Sequence, residues 1–171
     1  VKTTPRHISN KVNKRSPNIF TKHATITLKP ISLSSIVSEI KKYSFLDTYI
    51  DVKGRAYEEI VGANLRGDRG EFFTPRNIAK MTISMLDIPL DAKILDPACG
   101  TGGFLVIGMS EIIKKLNSQM KKETQKNPNE WSESQKQQLR EKIHEIASQN
   151  FFGFDINPDL VKSTKMNMVM N

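Results

Sequence analysis

The sequence predicts an α/β fold: the start of a doubly wound parallel sheet, preceded by a helical N-terminal segment. Short apolar segments at residues 92–96 and 151–155 are typical of buried strands, and an amphipathic helix follows each. A glycine-rich turn, DPACGTGGF at residues 96–104, joins the first strand to its helix. Strands that alternate with helices favour parallel pairing, because the crossover helix returns the chain to the same end of the sheet.

Three segments are predicted along the chain. Residues 1–30 form a basic leader or linker, residues 31–65 a helical segment, and residues 66–171 the N-terminal part of the α/β domain. Residues 1–38 contain lysine and arginine but no aspartate or glutamate. Two interpretations of this bias stay open: an arm that contacts nucleic acid, or a solvated linker.

The helices before the first strand follow from apolar spacing and capping residues. Apolar residues at i, i+3, i+4 and i+7 predict a helix behind the N-cap Ser32, and a second helix covers about residues 54–64. After an irregular segment at residues 66–73, Thr74 is the predicted N-cap and Pro75 the first residue of a third helix. The apolar face of that helix is predicted to contain Ile78, Met81, Thr82, Met85 and Leu86.

The helix after the glycine turn is predicted to run from Phe104 to about Leu116, followed by an exposed lysine-rich loop at residues 117–130. A Ser132–Gln135 capping box then begins another helix, and Asn157-Pro158 opens the last one. Open parallel sheets normally have more than two strands, so we expect the sequence to be a fragment.

Composition excludes several classes of protein. The chain is 37% apolar and 26% charged, without an apolar run long enough to span a bilayer and without the apolar centre of a secretory signal. Its one cysteine permits no internal disulfide, and its three histidines lack metal-ligand spacing. We therefore expect a cytoplasmic protein with no membrane contact and no metal site.

The glycine turn is the predicted binding site, because ligands of open α/β sheets lie beyond the C-terminal ends of the strands. Gly100, Gly102 and Gly103 are expected to remove side chains where a ligand lies against the backbone. The dinucleotide pattern fails at its third glycine, and no Lys-Ser or Lys-Thr completes a phosphate loop. Asp96 at the entrance suits an amine better than a phosphate, and Asp155 can accept hydrogen bonds from ribose hydroxyls. A ribose joined to a cationic amino acid indicates S-adenosyl-L-methionine.

Four blocks in this order resemble amino-directed DNA methyltransferases, most closely the modification subunit of type I restriction-modification systems. The blocks are DVKGRAYEEIVG (51–62), GDRGEFFTPRNIA (67–79), DPACGTGGFL (96–105) and GFDINPDLVKSTKMNM (153–168). The resemblance implies a Rossmann-like methyltransferase fold that binds S-adenosylmethionine and methylates an exocyclic amine, usually N6 of adenine, in double-stranded DNA. It also implies a separate specificity subunit as partner, with a restriction subunit as a further candidate.

The resemblance also assigns roles to residues. Phe73, Thr74 and Pro75 match the element that folds over the methionine end of the cofactor, where the helix behind Thr74 would offer its N–H groups to the carboxylate. The wall of the methionine and ribose pocket is expected to contain Asp96, Ala98, Gly100 and Gly102. Asp155 matches the ribose acid, and Ile156 would cover a face of the adenine.

One departure from the family limits the functional prediction. The Asp/Asn-Pro-Pro-Phe/Tyr motif, which holds the target base, does not occur in these residues, and neither does the acid expected on a third strand. The sequence therefore predicts a cofactor site and no catalytic residue. Two alternatives stay open: a truncated, non-catalytic paralogue that binds S-adenosylmethionine or assembles with a partner, and a methyltransferase for RNA or protein amines.

Overall fold

A computed structural model of the chain describes Ile19, residues 26–43 and residues 74–170. The predicted second helix and the irregular segment after it lie outside these residues, as does most of the basic leader. The chain divides into two compact units, residues 1–53 and residues 54–171.

The first unit contains helix α1 (Pro30–Ile40) in its described part. Lys29 is the N-cap and Pro30 the first helical residue, so the prediction of Ser32 as N-cap is wrong. Proline suits this position because its fixed φ angle is helical and its missing N–H has no partner there anyway. The predicted helix is confirmed, but every residue of α1 is at least partly exposed, so its apolar stripe is not buried.

The second unit has a parallel sheet of two strands among its described residues. The elements in chain order are α2 (Arg76–Met85), β1 (Ile94–Asp96), α3 (Gly103–Thr124), a 3₁₀ turn (Pro128–Glu130), α4 (Glu133–Gln149), β2 (Phe151–Gly153) and α5 (Pro158–Met170). Ile94 pairs with Phe151 and Asp96 with Gly153. The parallel pairing is thus confirmed, although both strands are shorter than predicted.

The main core lies on one face of this sheet. Alternate residues of a strand point to opposite faces, so Ile94 and Phe151 pack toward the core while Phe152 stays 42% exposed. A Cβ on Gly108 of α3 would lie 3.5 Å from the Phe151 ring, so α3 lies close against the sheet at this glycine. The buried residues of this core are Ala79, Ile83, Ile88, Ile107, Met109, Ile112, Leu116 and Ile146.

Helix α2 differs from its prediction in start and in orientation. Pro75 is the N-cap and its carbonyl accepts hydrogen bonds from the N–H groups of Ile78 and Ala79, so the assignment of Thr74 as N-cap is wrong. The buried residues of α2 are Ala79 and Ile83. The predicted apolar face is exposed instead, because apolar residues surround most of this helix and periodicity alone does not select one side. Its exposed members include Ile78, Met81, Met85 and Leu86.

Lys115 of α3 binds the segment that follows α2. Its Nζ atom donates to Asp87 Oδ1 at 2.6 Å and to the Ile88 carbonyl at 2.7 Å. The hydrogen bond and charge of Lys115 lower the pKa of the Asp87 carboxyl. Asp87 is left-handed, with a φ of 42°, so the chain reverses between α2 and β1 at this residue.

Helix α3 is two turns longer than predicted: residues 117–124, expected in a loop, are helical. Lysine, glutamine, methionine and glutamate are good helix formers, and the lysines of the last turn complement the negative C-terminal end of the helix dipole. The Trp131 indole behind it is 5% exposed and donates to Thr124 Oγ1 at 3.2 Å. Residues of loop-like composition are thus helical here, and the buried Trp131 packs against the end of the helix that they form.

The starts of the last two helices, α4 and α5, were predicted correctly. Ser132 Oγ accepts from the Gln135 N–H at 3.2 Å, and Gln135 Oε1 accepts from the Ser132 N–H at 2.9 Å, which is the predicted capping box of α4. Helix α5 begins at Pro158, as Asn157-Pro158 indicated. None of the helices in the described part of the chain is long and apolar enough to cross a membrane.

We expect Gln125→Gly to stabilise the chain. Gln125 is the exposed C-cap of α3 with a φ of 54°, a left-handed conformation that glycine adopts at less cost. The free energy of unfolding should rise by about 0.5–1 kcal/mol in urea titrations. Gln138→Gly, the same exchange at an exposed position inside α4, should instead lower it by about 1 kcal/mol. Equal effects of the two exchanges would contradict the role of the left-handed backbone.

Candidate functional site

The glycine turn between β1 and α3 contains two left-handed residues, Gly100 with a φ of 54° and Gly102 with a φ of 82°. The Gly102 N–H donates to the Cys99 carbonyl at 2.7 Å, which closes the turn. The Gly102 carbonyl then accepts from the Val106 N–H at 2.9 Å and begins the helix. Residues with side chains rarely adopt two such conformations in one short turn, so glycine is needed here.

The glycines of this turn have different surroundings. A Cβ atom on Gly100 or Gly103 would meet nothing within 4 Å, so open space lies beside both residues. A Cβ atom on Gly102 would lie 2.8 Å from Cγ2 of Thr164 in α5. All three glycines were expected to make room for a ligand. At Gly102 this expectation is wrong, because the space that its side chain would occupy is filled by Thr164, and the glycine permits close packing against α5.

The second strand and its loop bind the turn from one side. The Gly100 N–H donates to Asp155 Oδ2 at 2.9 Å, and the Asn157 N–H donates to Asp155 Oδ1 at 2.8 Å. The Phe154 N–H donates to the Asp96 carbonyl at 2.9 Å, and the Cys99 N–H to the Phe154 carbonyl at 2.8 Å. Asp155 thus clamps the backbone of the turn, a role that sequence reasoning missed.

Helix α5 also donates hydrogen bonds to the turn. Thr164 Oγ1 donates to the Gly100 carbonyl at 2.7 Å, and Asn167 Nδ2 donates to the Thr101 carbonyl at 3.1 Å. Thr101, Thr164 and Asn167 are all buried, and Asn167 is 0% exposed. Neither Thr164 nor Asn167 was predicted at the site from the sequence. The available signal was a polar pair spaced i, i+3 along α5.

The mouth of the site is acidic. Asp96 ends β1 and uses Oδ1 to accept from the Ala98 N–H at 3.2 Å, while Asp155 follows β2 two residues after its end. Both carboxylates are close enough to raise the pKa of the Cys99 thiol by charge repulsion. Two negative charges beside the glycine turn disfavour phosphate and favour ammonium groups or hydroxyl donors.

Cys99 is buried in this turn, with its Sγ atom 3.6 Å from Thr164 Oγ1. Burial raises the pKa of the Cys99 thiol above its ordinary value, the hydrogen bond with Thr164 opposes that rise, and the charges of Asp96 and Asp155 add to it. The neutral thiol is the poorer nucleophile. The surroundings of Cys99 therefore disfavour a role as nucleophile. Likewise, no catalytic role was predicted for it from the sequence.

We expect Cys99 to react slowly with thiol reagents. Because burial and repulsion raise its pKa, the thiolate fraction at pH 8 is smaller than in free cysteine, and alkylation should be slower by about tenfold or more. The rate should increase as the pH rises through the raised pKa. Since the chain has one cysteine, a colorimetric thiol assay reports on it alone. The urea-unfolded chain is the control, and equal rates for the folded and unfolded chains would contradict the burial.

The structure brings together most of the predicted site residues. Asp96, Ala98, Gly100, Gly102 and Asp155 form one hydrogen-bonded unit through the turn and β2. Ile156, at 102% relative accessibility, is fully exposed beside that unit.

The other predicted residues lie at or before α2. Phe73 is outside the described residues, and Thr74 and Pro75 are exposed in front of α2. In the described part of the chain, no hydrogen bond joins Thr74 or Pro75 to the glycine turn. No cluster of side chains able to hold a metal ion occurs in the described part of the chain either.

The strand–turn–helix arrangement lies in the segment of the chain that matches a known family. Residues 48–171 match the N-6 DNA Methylase family, and this match covers both strands, the glycine turn and Asp155. The chain belongs to the N-6 DNA methylase family.

Similar proteins include methylase subunits of type I restriction enzymes. The EcoEI methylase subunit of Escherichia coli is 40% identical over 60 residues, 34% of this chain and 12% of that protein. The MjaIX methylase subunit of Methanocaldococcus jannaschii is 32% identical over 123 residues, 70% of this chain and 17% of that protein. The type II restriction enzyme and methyltransferase RM.BcgI of Heyndrickxia coagulans is 29% identical over 104 residues, 58% of this chain and 16% of that protein. The chain thus spans less than a fifth of the length of these relatives.

Proposed function

We propose that this chain is the S-adenosylmethionine-binding part of a DNA (adenine-N6) methyltransferase, in the modification subunit of a type I-like restriction-modification system. The observation that carries the proposal is the position of Asp155: it follows β2, and its carboxylate is hydrogen-bonded to Gly100 in a turn whose open side faces free space. Family membership and the type I relatives support the reaction and the system.

The residues of the turn fit this cofactor. Each oxygen of the Asp155 carboxylate accepts one backbone N–H and retains a lone pair, so it can accept ribose hydroxyls in addition. Asp96 would hold the ammonium group of the methionine portion, and Gly100 and Ala98 would line the wall between them. The exposed Ile156 would cover one face of the adenine, where an apolar side chain gains most from contact.

The remaining predicted residues precede α2 along the chain. The first N–H groups of a helix carry partial positive charge, so the start of α2 behind Thr74 and Pro75 would suit the cofactor carboxylate. Phe73 keeps its predicted role at the methionine end of the cofactor. We further propose that β1 and β2 belong to a larger, Rossmann-like, doubly wound sheet. In such a sheet the C-terminal ends of β1 and β2, where ligands bind, would lie at the same edge.

S-adenosylmethionine supplies a sulfonium methyl group that an exocyclic amine can attack. The residues described above bind and orient; none of them is assigned to hold the base. The Asp/Asn-Pro-Pro-Phe/Tyr motif is absent from residues 1–171, so the proposal covers cofactor binding for this segment. Methyl transfer to flipped adenine in double-stranded DNA is proposed for a protein that carries that motif as well, with specificity and restriction subunits as partners.

A binding and transfer assay on the complete gene product tests this proposal. Calorimetry should show binding of S-adenosylmethionine, and radiolabelled methyl groups should appear in duplex DNA when a specificity subunit is supplied. Digestion to nucleosides should place the label on N6-methyladenine. Label on N4-methylcytosine would contradict the base assignment, label on RNA or protein alone would contradict the substrate, and absence of cofactor binding would contradict the whole proposal.

A further inference from the structure

We propose that Thr164 and Asn167 are positioning residues that set the conformation of the glycine turn from behind. The inference rests on the proposed function in one respect only, the identity of the ligand that the turn receives. Neither side chain is placed to touch that ligand, since both are buried and donate to the backbone of the turn. Their effect on binding would therefore act through the backbone of Gly100 and Thr101.

Residues 99–102 need such support because glycine is conformationally permissive. A turn containing Gly100 and Gly102 has many accessible conformations in addition to the left-handed pair seen here. A ligand that binds only one of them loses affinity in proportion to the population of the others. Hydrogen bonds from outside the turn select one conformation in advance and remove that loss.

The Gly100 residue is held at both of its polar backbone atoms. Its N–H donates to Asp155 Oδ2 at 2.9 Å, and its carbonyl accepts from Thr164 Oγ1 at 2.7 Å. Both partners come from the second strand–helix unit, more than 50 residues later in the chain. The docking of α5 therefore fixes a turn that belongs to the first strand–helix unit.

The next two residues are fixed by the same helix. Asn167 Nδ2 donates to the Thr101 carbonyl at 3.1 Å in a fully buried position, where water cannot replace a lost donor. The methyl group of Thr164 occupies the space that a side chain on Gly102 would need. Thr164 thus uses its hydroxyl on Gly100 and its methyl on Gly102, which suggests two variants that separate these contacts.

Amide hydrogen exchange measured by NMR on the 171-residue chain tests the inference without any ligand. Thr164→Val removes the hydroxyl and keeps the branched shape, so exchange at the Gly100 and Gly102 amides should accelerate by about tenfold relative to Ile112 in the core. Thr164→Ser keeps the hydroxyl, so those rates should stay within about twofold of the original. Asn167→Leu should accelerate exchange in the same turn.

Ser163→Ala is the matched control, because Ser163 is a buried hydroxyl on the same helix. No hydrogen bond from Ser163 to the turn occurs in the part of the chain that the structure describes. Unchanged exchange at Gly100 and Gly102 in Thr164→Val would overturn the inference. So would acceleration that is equal at Ile112, because that result indicates general destabilisation rather than release of the turn.

Calorimetry with S-adenosylmethionine on the complete gene product separates this inference from the proposed function. Thr164→Val should weaken binding by about tenfold, Thr164→Ser should restore most of the affinity, and Ser163→Ala should leave it unchanged. If the original protein does not bind S-adenosylmethionine, the proposed function fails, while the exchange rates still decide whether Thr164 positions the turn. Loosened exchange with full cofactor affinity would overturn the positioning role.

Discussion

Gly102→Ala is expected to lower the free energy of unfolding by about 3 kcal/mol, a large fraction of the stability of a small domain. Two costs combine. An alanine at a φ of 82° is strained, and its Cβ would lie 2.8 Å from Thr164 Cγ2, so α5 or the turn must move. Urea unfolding followed by circular dichroism measures the loss, provided that the transition is two-state.

Two further variants separate these costs. Gly103→Ala introduces the same methyl group one residue later, where nothing lies within 4 Å, so stability should change by less than about 1 kcal/mol. In Gly102→Ala combined with Thr164→Ser the clashing methyl is gone, so the double variant should be more stable than the sum of the single changes predicts, while the strain of the left-handed backbone remains. Equal losses from Gly102→Ala and Gly103→Ala would contradict the close approach of α5.

The order of elements was predictable because each has a local signal. The apolar segments at 92–96 and 151–155 stand between turn residues and amphipathic helices, and the parallel pairing follows from the helical crossover between them. The Ser132–Gln135 capping box marks a helix start through hydrogen bonds between residues three apart, and Pro158 marks one through its fixed φ angle. Signals of this kind depend on neighbouring residues and therefore little on how the rest of the chain packs.

The failures come from contacts that the sequence does not display. Residues 117–124 are polar and were therefore predicted as a loop, yet polar residues also form the exposed side of a helix. The buried Trp131, which donates to Thr124 Oγ1, lies beyond the end of this helix. The buried side of α2 was wrong because apolar residues surround most of that helix and only packing against α3 selects Ala79 and Ile83. Thr74 was expected to cap, but the extended Pro75 takes that place.

The candidate site divides in the same way. Its acids and glycines were predictable from their places at the ends of strands, since topology alone assigns that edge to ligands. The clamps were not predictable: Asp155 and Thr164 reach Gly100 across 55 and 64 residues, and no spacing rule connects positions that far apart. The sequence thus predicts candidate ligand-facing residues, whereas the structure is needed to identify the residues that hold them in place.

Asp155→Asn is expected to weaken S-adenosylmethionine binding by about 10- to 100-fold, because a neutral amide replaces a carboxylate that would accept charge-assisted hydrogen bonds from ribose. The same exchange should cost about 1–2 kcal/mol of stability, since the amide NH₂ cannot accept from both the Gly100 and Asn157 N–H groups. Calorimetry on the complete gene product, well below its melting temperature, separates the two effects.

Asp159→Asn is the matched control for Asp155→Asn. Asp159 is an exposed carboxylate in the first turn of α5, four residues away, so its exchange removes the same charge without altering the glycine turn. Stability should fall by about 0.5 kcal/mol through the helix dipole, and cofactor affinity should be unchanged. If Asp155→Asn also leaves the affinity unchanged while lowering stability, Asp155 is a clamp of the turn and not the ribose acid. If both exchanges weaken binding equally, the general negative charge of this edge, rather than hydrogen bonding by Asp155, attracts the cofactor.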